Sequence, residues 1–290
     1  MNLAIALRLG RISNLPTVWT NVLVGALLAG GTLADGRLPL LMAALSCFYL
    51  GGMFLNDAFD RGFDAVHRPD RPIPAGQVSA RQVFTAGFAL LGLGLLAVGW
   101  ASRDEAGMPA WRAVGAGVAL AAAIVFYDLH HKNNPLSPVV MGLCRVLVYV
   151  SAAYTVSATL PTAVLLAAAA LWCHLIGLTY IAKQEHLNRL GHLWPLGLFA
   201  VPLLYGLALA DGAPWVWPLL AAYAAMLVAA LRRLRRRAPG DVPRAVVMLI
   251  AGMSLLDGML LAGAGHSVAA ALAVAAFVLT LVWQKWVAGT

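Results

Sequence analysis

The chain carries a short segment, residues 56–64, in which polar side chains recur at helical spacing. Asp57, Asp60 and Asp64 follow Asn56 at positions i, i+3 and i+7, within about 60° of one another around a helix. Three carboxylates this close repel one another unless a cation lies among them. Hard divalent cations such as Mg²⁺ take oxygen ligands of this kind and keep coordination positions open for a phosphate. The segment therefore predicts a site for a divalent cation.

A basic segment follows these acids. It contains Arg61, Arg68 and Arg71 and ends in the run Pro72-Ile-Pro74-Ala-Gly76. Guanidinium groups form paired hydrogen bonds with phosphate oxygens, so an acidic helix face followed by arginines has the chemistry of a metal-bound diphosphate site. The alternative is a solvated helix end with surface ion pairs, which leaves the like-charged face unexplained.

The composition excludes a soluble protein. Of the 290 residues, 61% are hydrophobic and 11% are charged, whereas soluble domains have about 25% charged residues. The three cysteines are far apart within apolar runs, which argues against a disulfide framework and a zinc site. The net charge of +8 does not indicate nucleic-acid binding, because the densest basic run, residues 232–237, directly follows an apolar stretch and suits anionic lipid headgroups.

Apolar runs long enough to cross a bilayer as helices, about 20 residues each, extend along the whole chain. They lie at residues 15–33, 38–55, 83–100, 110–127, 138–157, 162–180, 193–210, 214–231, 245–263 and 267–284. Only a short turn separates the last two, so the number of spans is nine or ten. We expect an all-α, polytopic membrane helical bundle that forms a single domain, residues 1–290.

The basic residues are distributed unevenly about these spans. On the ten-span map 17 of the 20 lysines and arginines fall on one side, leaving Arg37, Arg103 and Arg112 for the other. Basic loops stay on the cytoplasmic side of a membrane. We therefore predict a cytoplasmic position for both termini and for four loops, at residues 56–82, 128–137, 181–192 and 232–244.

The acidic segment and its basic continuation resemble the first aspartate-rich motif of the UbiA superfamily of intramembrane prenyltransferases. Asn14-Leu15-Pro16-Thr17 with Asn21 resembles the first helix of that superfamily, and Tyr127 with Lys132 resembles its tyrosine-to-basic motif after helix four. Three segments are similar to the EboC branch in particular, at residues 13–21, 141–145 and 180–185. That branch implies a bacterial inner-membrane protein.

The resemblance implies two aspartate motifs that hold two Mg²⁺ ions around an isoprenyl diphosphate. Ionisation of the allylic C–O bond then gives a carbocation that an aromatic or other acceptor captures. The resemblance assigns metal binding to Asn56 and both metal binding and catalysis to Asp57, Asp60 and Asp64. The residues that it implies in substrate binding are Asn21, Arg68, Arg71, Tyr127, Lys132, Arg145, Tyr180 and Lys183. The implied partners are an isoprenyl diphosphate, an unknown acceptor and membrane lipid.

The second motif departs from the pattern of the superfamily. After the sixth run the chain has Tyr180-Ile-Ala-Lys183-Gln184-Glu185, with one carboxylate where two or three aspartates belong. Three interpretations stay open: Glu185 binds one metal ion weakly, Lys183 contacts phosphate in place of a metal ion, or Glu185 pairs with Lys183 or Arg189. The departure keeps a second function open, a non-catalytic protein that binds a polyprenyl phosphate or a metabolite in an export-associated system.

Two further charged residues fall inside the spans. Asp257, in the ninth run, is either a proton or acceptor site or a hydrogen-bond link between helices. Arg145, near the inner end of the fifth run, needs an anion, for which the carboxylates of the first motif and a bound phosphate are candidates.

Overall fold

The structure is a computed structural model that describes residues 1–103, 107–108, 110–132, 134–184 and 194–287. Within these ranges the chain forms α-helices and short 3₁₀ turns and no β-strand. The helices are α1 (Leu3–Leu9), α2 (Leu15–Leu28), α3 (Leu38–Phe59), α4 (Arg61–His67), α5 (Ala80–Ala101), α6 (Trp111–His130), α7 (Ser137–Val156), α8 (Thr162–Lys183), α9 (Ala200–Ala210), α10 (Val216–Arg236), α11 (Asp241–Gly263) and α12 (Ser267–Trp283).

Helices long and apolar enough to cross a membrane dominate the fold. Seven meet this condition: α3, α5, α6, α7, α8, α10 and α11. Shorter apolar helical segments, Ile12–Leu28, Trp194–Ala210 and Ser267–Trp283, lie at the three remaining predicted runs. The predicted all-α membrane bundle is therefore confirmed. Helices α11 and α12 are separate, because Gly265 takes a positive φ of 83° in the turn between them.

Two predicted runs differ from the helices that form. The first run extends to residue 33, but α2 ends at Leu28 because the chain turns at Gly30, whose φ is 95°. The seventh run begins, within the described residues, as a 3₁₀ helix over Trp194–Phe199 that contains Pro195. Proline lacks the N–H group that an α-helix needs, so regular α-helix starts only at α9.

The junction of α3 and α4 keeps the acidic residues on one surface. Asp60 ends α3, and its amide donates to the carbonyl of Asn56 at 2.9 Å. The amide of Asp64 donates in turn to the carbonyl of Asp60 at 2.9 Å. The helical pattern of hydrogen bonds therefore continues through the junction, and Asp57, Asp60 and Asp64 keep their predicted spacing in space.

Close contacts between helices position the polar groups inside the bundle. Helix α11 is the most buried of the seven long helices and packs against α2, α8, α10 and α12. Helices α2 and α7 approach closely at Gly25, where an added Cβ atom would lie 2.4 Å from the carbonyl oxygen of Tyr149. Only glycine allows this approach, which brings Asn21 of α2 within reach of α7 and α11.

Candidate active site

The three aspartates, which we call the acidic cluster (Asp57, Asp60 and Asp64), lie together where α3 meets α4. Each is buried, with 6%, 7% and 2% of its surface exposed, respectively. Arg71 donates from Nη1 to Asp57 Oδ1 at 2.7 Å and to Asp64 Oδ2 at 3.3 Å. Arg11 donates from Nη2 to the same Asp57 oxygen at 2.9 Å. The structure thus joins the acidic face to one arginine of the basic segment and to the N-terminal region.

Asp60 pairs with the loop that follows α6. Its Oδ2 lies 2.9 Å from Lys132 Nζ and 3.3 Å from His131 Nε2. Burial raises the pKa of the Asp60 carboxyl, but hydrogen bonds and charge from His131 and Lys132 outweigh burial and leave the pKa below its ordinary value. Asp60 is therefore held as a carboxylate by the predicted tyrosine-to-basic motif.

For Asp64 and Arg71, in contrast, burial outweighs the ion pair and shifts the pKa toward the neutral form. Burial raises the pKa of the Asp64 carboxyl, the neighbouring Asp60 and Asp57 raise it further, and Arg71 opposes them without reversing the shift. Burial lowers the pKa of the Arg71 guanidinium, as does the nearby Arg11. Carboxylates crowd together around Asp64, and guanidinium groups crowd together around Arg71. A bound cation would therefore stabilise the carboxylates, and a bound anion would stabilise the guanidinium groups.

Asp128 joins the site although sequence reasoning missed it. Its Oδ1 accepts a hydrogen bond from Asn56 Nδ2 at 3.1 Å, while its Oδ2 is buried with no partner among the described atoms. The signal in the sequence was a carboxylate in the last turn of a membrane span, next to Tyr127. Asp128 brings a fourth carboxylate to the same end of the bundle.

An apolar cavity lies among α2, α3, α6 and α7, beside Asn56 and Asp128. About 550 Å³ of space lies within its outline, part of it open to the surroundings of the protein. Its walls are largely aliphatic and aromatic, including Phe48, Ile124 and Val148, and its polar side chains are Tyr49, Tyr127, Asp128 and Arg145. The cavity therefore presents a mostly hydrocarbon interior with a few polar groups.

Arg145 belongs to a buried set of polar groups, which we call the Arg145 network (Arg145, Asn21, Asp257 and Tyr149). Arg145 Nη1 donates to Asn21 Oδ1 at 3.1 Å, and Asn21 Nδ2 donates to Asp257 Oδ2 at 2.8 Å. The Tyr149 hydroxyl donates to Asp257 Oδ1 at 2.5 Å. Asp257 thus links α2, α7 and α11 as a hydrogen-bond acceptor, and Asn21 lies inside the bundle rather than beside the acidic cluster.

The end of α8 holds the loop of His131 and Lys132 in place. Lys183 Nζ donates to the carbonyls of His131 and Asn134, at 3.3 and 2.7 Å, and to Ser137 Oγ at 2.6 Å. Its contacts are therefore with the loop that carries Lys132. Tyr180 is partly buried one turn earlier on α8. Glu185, the remaining predicted metal ligand, lies outside the described residues.

A second, polar pocket opens beside the acidic cluster, with an empty volume of about 870 Å³. Its lining includes four arginines, Arg8, Arg11, Arg68 and Arg71, and two aspartates, Asp57 and Asp70. Arg68 and Arg71 were predicted, whereas Arg8 and Arg11 were interpreted only as markers of membrane orientation. Arg11 adopts a left-handed backbone with φ of 41°, a strained conformation for a residue with a Cβ atom.

The donor types of the cluster fit Mg²⁺, because Asn56 and the three aspartates offer the amide and carboxylate oxygens that this ion prefers. In the part of the chain that the structure describes, no group of three or more His, Cys, Asp and Glu is arranged to hold a metal ion. Each aspartate of the cluster contacts a basic side chain.

Fold and site together define a membrane helical bundle that gathers carboxylates and basic side chains at one end of an apolar cavity. A protein-family model, the UbiA prenyltransferase family, matches residues 18–248. The chain therefore belongs to the UbiA prenyltransferase family.

Individual relatives agree with this membership over part of the chain. A digeranylgeranylglyceryl phosphate synthase of Methanopyrus kandleri is 43% identical over 95 residues, which are 32% of this chain and 34% of that protein. A chlorophyll synthase of Oryza sativa is 39% identical over 98 residues, 31% of this chain and 26% of that protein. The matches thus span about a third or less of these relatives.

Two solved structures have the same fold. A UbiA homologue from Aeropyrum pernix superposes with a TM-score of 0.65 at 20% identity, over 87% of this chain and 96% of that one. A UbiA homologue from Archaeoglobus fulgidus bound to GPP and Mg²⁺ gives 0.52 at 15% identity, over 96% and 99%. The comparisons place the chain in the family and not in a particular branch, so the EboC assignment stays a prediction.

Proposed function

We propose that the protein is a Mg²⁺-dependent intramembrane prenyltransferase that transfers an isoprenyl group from an isoprenyl diphosphate to an acceptor. The observation that carries the proposal is the acidic cluster and its basic partners at the end of an apolar cavity. In this proposal residues 1–290 act as one membrane domain, with the cluster on the cytoplasmic side.

The diphosphate binds where the cluster meets the arginine-lined pocket. Arg68 is exposed in that pocket, and Arg71 and Arg11 reach it from their ion pairs with Asp57. Lys132, paired with Asp60, approaches from the other side. Asn56, Asp57, Asp60 and Asp64 would hold Mg²⁺, which would offset negative charge on the diphosphate. The basic side chains then exchange carboxylate partners for phosphate oxygens, which offer the same paired geometry.

The reaction breaks the allylic C1–O bond, and its electron pair leaves on the diphosphate. Guanidinium and ammonium groups stabilise the developing negative charge, so the barrier falls. The aliphatic and aromatic walls of the cavity keep water from the allylic cation. A nucleophilic atom of the acceptor then bonds to C1, and the proton that it loses passes to the departing diphosphate.

Family membership and the substrates of relatives support this proposal. The Methanopyrus relative is named as a digeranylgeranylglyceryl phosphate synthase, and the Archaeoglobus homologue is described as bound to GPP and Mg²⁺. The alternative of a non-catalytic carrier rests on the single carboxylate, Glu185, in the second motif and on the resemblance to the EboC branch. Nothing in the described contacts favours it.

Ligand-dependent thermal stability tests the proposal. Purified protein in detergent is heated with Mg²⁺ and geranylgeranyl thiodiphosphate, a donor analogue whose C1–S bond resists ionisation. We expect a rise in the unfolding midpoint that requires both components, because a ligand that binds only the folded state stabilises it. The rise disappears in Asp60→Ala.

The control is Asp211→Ala, which removes an exposed carboxylate after α9 at the opposite end of the bundle. This variant should respond as the wild type does. A folded wild type that shows no Mg²⁺-dependent rise contradicts the proposal.

A further inference from the structure

The backbone of Arg11 adopts a conformation that residues with a Cβ atom rarely take. Its φ of 41° and ψ of 51° lie in the left-handed region, just after α1 ends at Leu9. Glycine is the usual residue at this position after a helix, because the left-handed conformation is unfavourable for other residues. Here an arginine occupies the position, and its Nη2 reaches Asp57 Oδ1 at 2.9 Å. Strain of this kind persists only where the surrounding structure holds it in place.

Arg11 is attached to α3 at both its backbone and its side chain. The hydroxyl of Tyr49 donates to the carbonyl oxygen of Arg11 at 3.2 Å. At the other end of the residue, Arg11 Nη1 donates to Met53 Sδ at 3.5 Å, beside the ion pair with Asp57. Tyr49, Met53 and Asp57 recur every four residues and therefore lie along one face of α3. Arg11 thus extends along this face, with its carbonyl at Tyr49 and its guanidinium at the acidic cluster.

A second attachment comes from α12 through Asn14. The amide of Asn14 donates to the same Arg11 carbonyl at 3.1 Å. Gln284, the residue that follows α12, donates from Nε2 to Asn14 Oδ1 at 3.0 Å, and the Thr17 hydroxyl donates to the Asn14 carbonyl at 2.7 Å. Asn14 and Thr17 are buried, so water competes little for these hydrogen bonds. The turn at Arg11 is therefore fixed by α3 on one side and by the end of α12 on the other.

We infer that Tyr49 and Gln284 are positioning residues for diphosphate binding, because they hold the turn at Arg11 so that its guanidinium lies at the acidic cluster. This inference rests on the proposed function and adds two residues on which the same site depends. Tyr49 acts directly on the Arg11 carbonyl, and Gln284 acts through Asn14. Without these hydrogen bonds the turn relaxes toward an ordinary backbone conformation, which carries the guanidinium away from Asp57 and from a bound phosphate.

Tyr49→Phe tests the inference, because it removes the hydroxyl and keeps the ring, which stacks under Arg145 at 5.3 Å from guanidinium carbon to ring centroid. Dissociation constants for geranylgeranyl thiodiphosphate with Mg²⁺ come from titrations of the unfolding midpoint. We expect binding to weaken by about threefold to tenfold, as for the loss of one hydrogen bond. Gln284→Met, which acts through one more residue, should weaken binding by less. It also keeps the inference testable if Tyr49→Phe does not fold.

Tyr205→Phe is the matched control. It removes a tyrosine hydroxyl on α9, a helix that packs mainly against α8, α10 and α11 and not against the acidic cluster. This variant should bind thiodiphosphate as the wild type does.

A double-mutant cycle with Arg11→Gln separates positioning from a general loss of stability. Arg11→Gln alone should weaken thiodiphosphate binding by roughly tenfold, because one cation leaves the site. If Tyr49 acts through Arg11, Tyr49→Phe no longer changes the dissociation constant once the guanidinium is absent, although it still lowers the unfolding midpoint of the ligand-free protein. Gln284→Met should behave in the same way. A residue with only a structural role would weaken binding by the same factor in both backgrounds.

Several results overturn the inference and leave the proposed function intact. These are unchanged dissociation constants in both Tyr49→Phe and Gln284→Met, an equal loss of binding with and without the Arg11 guanidinium, an equal loss in Tyr205→Phe, and normal binding in Arg11→Gln. A folded wild type that binds no thiodiphosphate in the presence of Mg²⁺ contradicts the proposed function itself, and the inference then fails with it.

Discussion

In the acidic cluster, carboxylates from α3 and α4 meet long basic side chains that reach in from the N-terminal region, the basic segment and the loop after α6. In the Arg145 network, Asn21, Tyr149 and Asp257 are completely buried, and the single cation is joined to the single carboxylate through a neutral amide. The cluster borders an open polar pocket, and the network lies among packed helices.

This difference separates groups that can exchange partners from groups that cannot. A basic side chain at the border of a polar pocket can leave its aspartate for a phosphate and be solvated on the way. A buried amide or carboxylate that loses its partner leaves an unsatisfied polar group in the protein interior. We therefore expect substitutions in the cluster to change ligand binding and those in the network to change stability.

The largest effect is expected at the centre of the network. Asp257→Ala removes the acceptor of two hydrogen bonds and leaves Asn21, Tyr149 and Arg145 without their carboxylate. Breaking a buried charged set in this way costs about 3–5 kcal/mol, so the unfolding midpoint should fall sharply in detergent. Asp211→Ala, at an exposed carboxylate, should stay within about 0.5 kcal/mol of the wild type. Equal unfolding midpoints for the two variants would show that the Arg145 network does not contribute to stability in this way.

Asp57→Asn should affect ligand binding more than stability. It removes the carboxylate that Arg11 and Arg71 share, but Arg71 keeps its ion pair with Asp64, and both arginines line the polar pocket. Loss of one partner from a charged site costs about 2 kcal/mol or more, so the dissociation constant for thiodiphosphate with Mg²⁺ should rise at least roughly 30-fold. Titration by midpoint measures it. A large fall in the midpoint of the ligand-free protein, with little change in affinity, would contradict this expectation.

Gly25→Ala tests whether the network depends on close packing of α2 and α7. The new Cβ atom meets the carbonyl oxygen of Tyr149 at 2.4 Å, so the helices must separate, at about 1–3 kcal/mol. The matched change is Gly92→Ala on α5, where nothing lies within 4 Å. That variant should be as stable as the wild type or slightly more stable, because alanine favours a helix. Unfolding free energies for the pair decide the question, and equal values would show that the approach at Gly25 is not limiting.

The smallest effect is expected at Lys183. This residue contributes both to stability and, through the loop that carries Lys132, to ligand binding. Lys183→Met frees the loop that carries His131 and Lys132, at about 1 kcal/mol of stability. Because Lys132 then reaches Asp60 less often, thiodiphosphate binding should weaken by less than about tenfold. Arg233→Met is the control for loss of a positive charge, because Arg233 is a basic residue in the last turn of α10. Thiodiphosphate binding that is lost altogether would place Lys183 in direct contact with the ligand.

Much of the fold and part of the site followed from local pattern. Hydrophobic runs predict membrane helices because the bilayer requires them, and the spacing of Asp57, Asp60 and Asp64 predicts one face because a helix has a fixed period. Arg145 was expected to face the first-motif carboxylates or a phosphate, but it contacts Asn21. That contact depends on the approach of α2 to α7, which no local pattern encodes. Asp128 was missed because the predicted run ended at residue 127 and left Asp128 in a loop, whereas the helix continues to His130.

The Arg145 network also sets an order for biogenesis. Asn21 and Asp257 are separated by 236 positions, so at about 5–20 residues per second roughly 10 to 50 s pass between their synthesis. During that interval Asn21, and later Arg145, lie in helices that have already been made, without the carboxylate that completes their set. The nascent membrane protein therefore cannot finish its interior until α11 inserts between helices made much earlier. Insertion of α11 is the step that completes the buried hydrogen bonds, so a bundle without α11 still has unpaired polar groups in its interior.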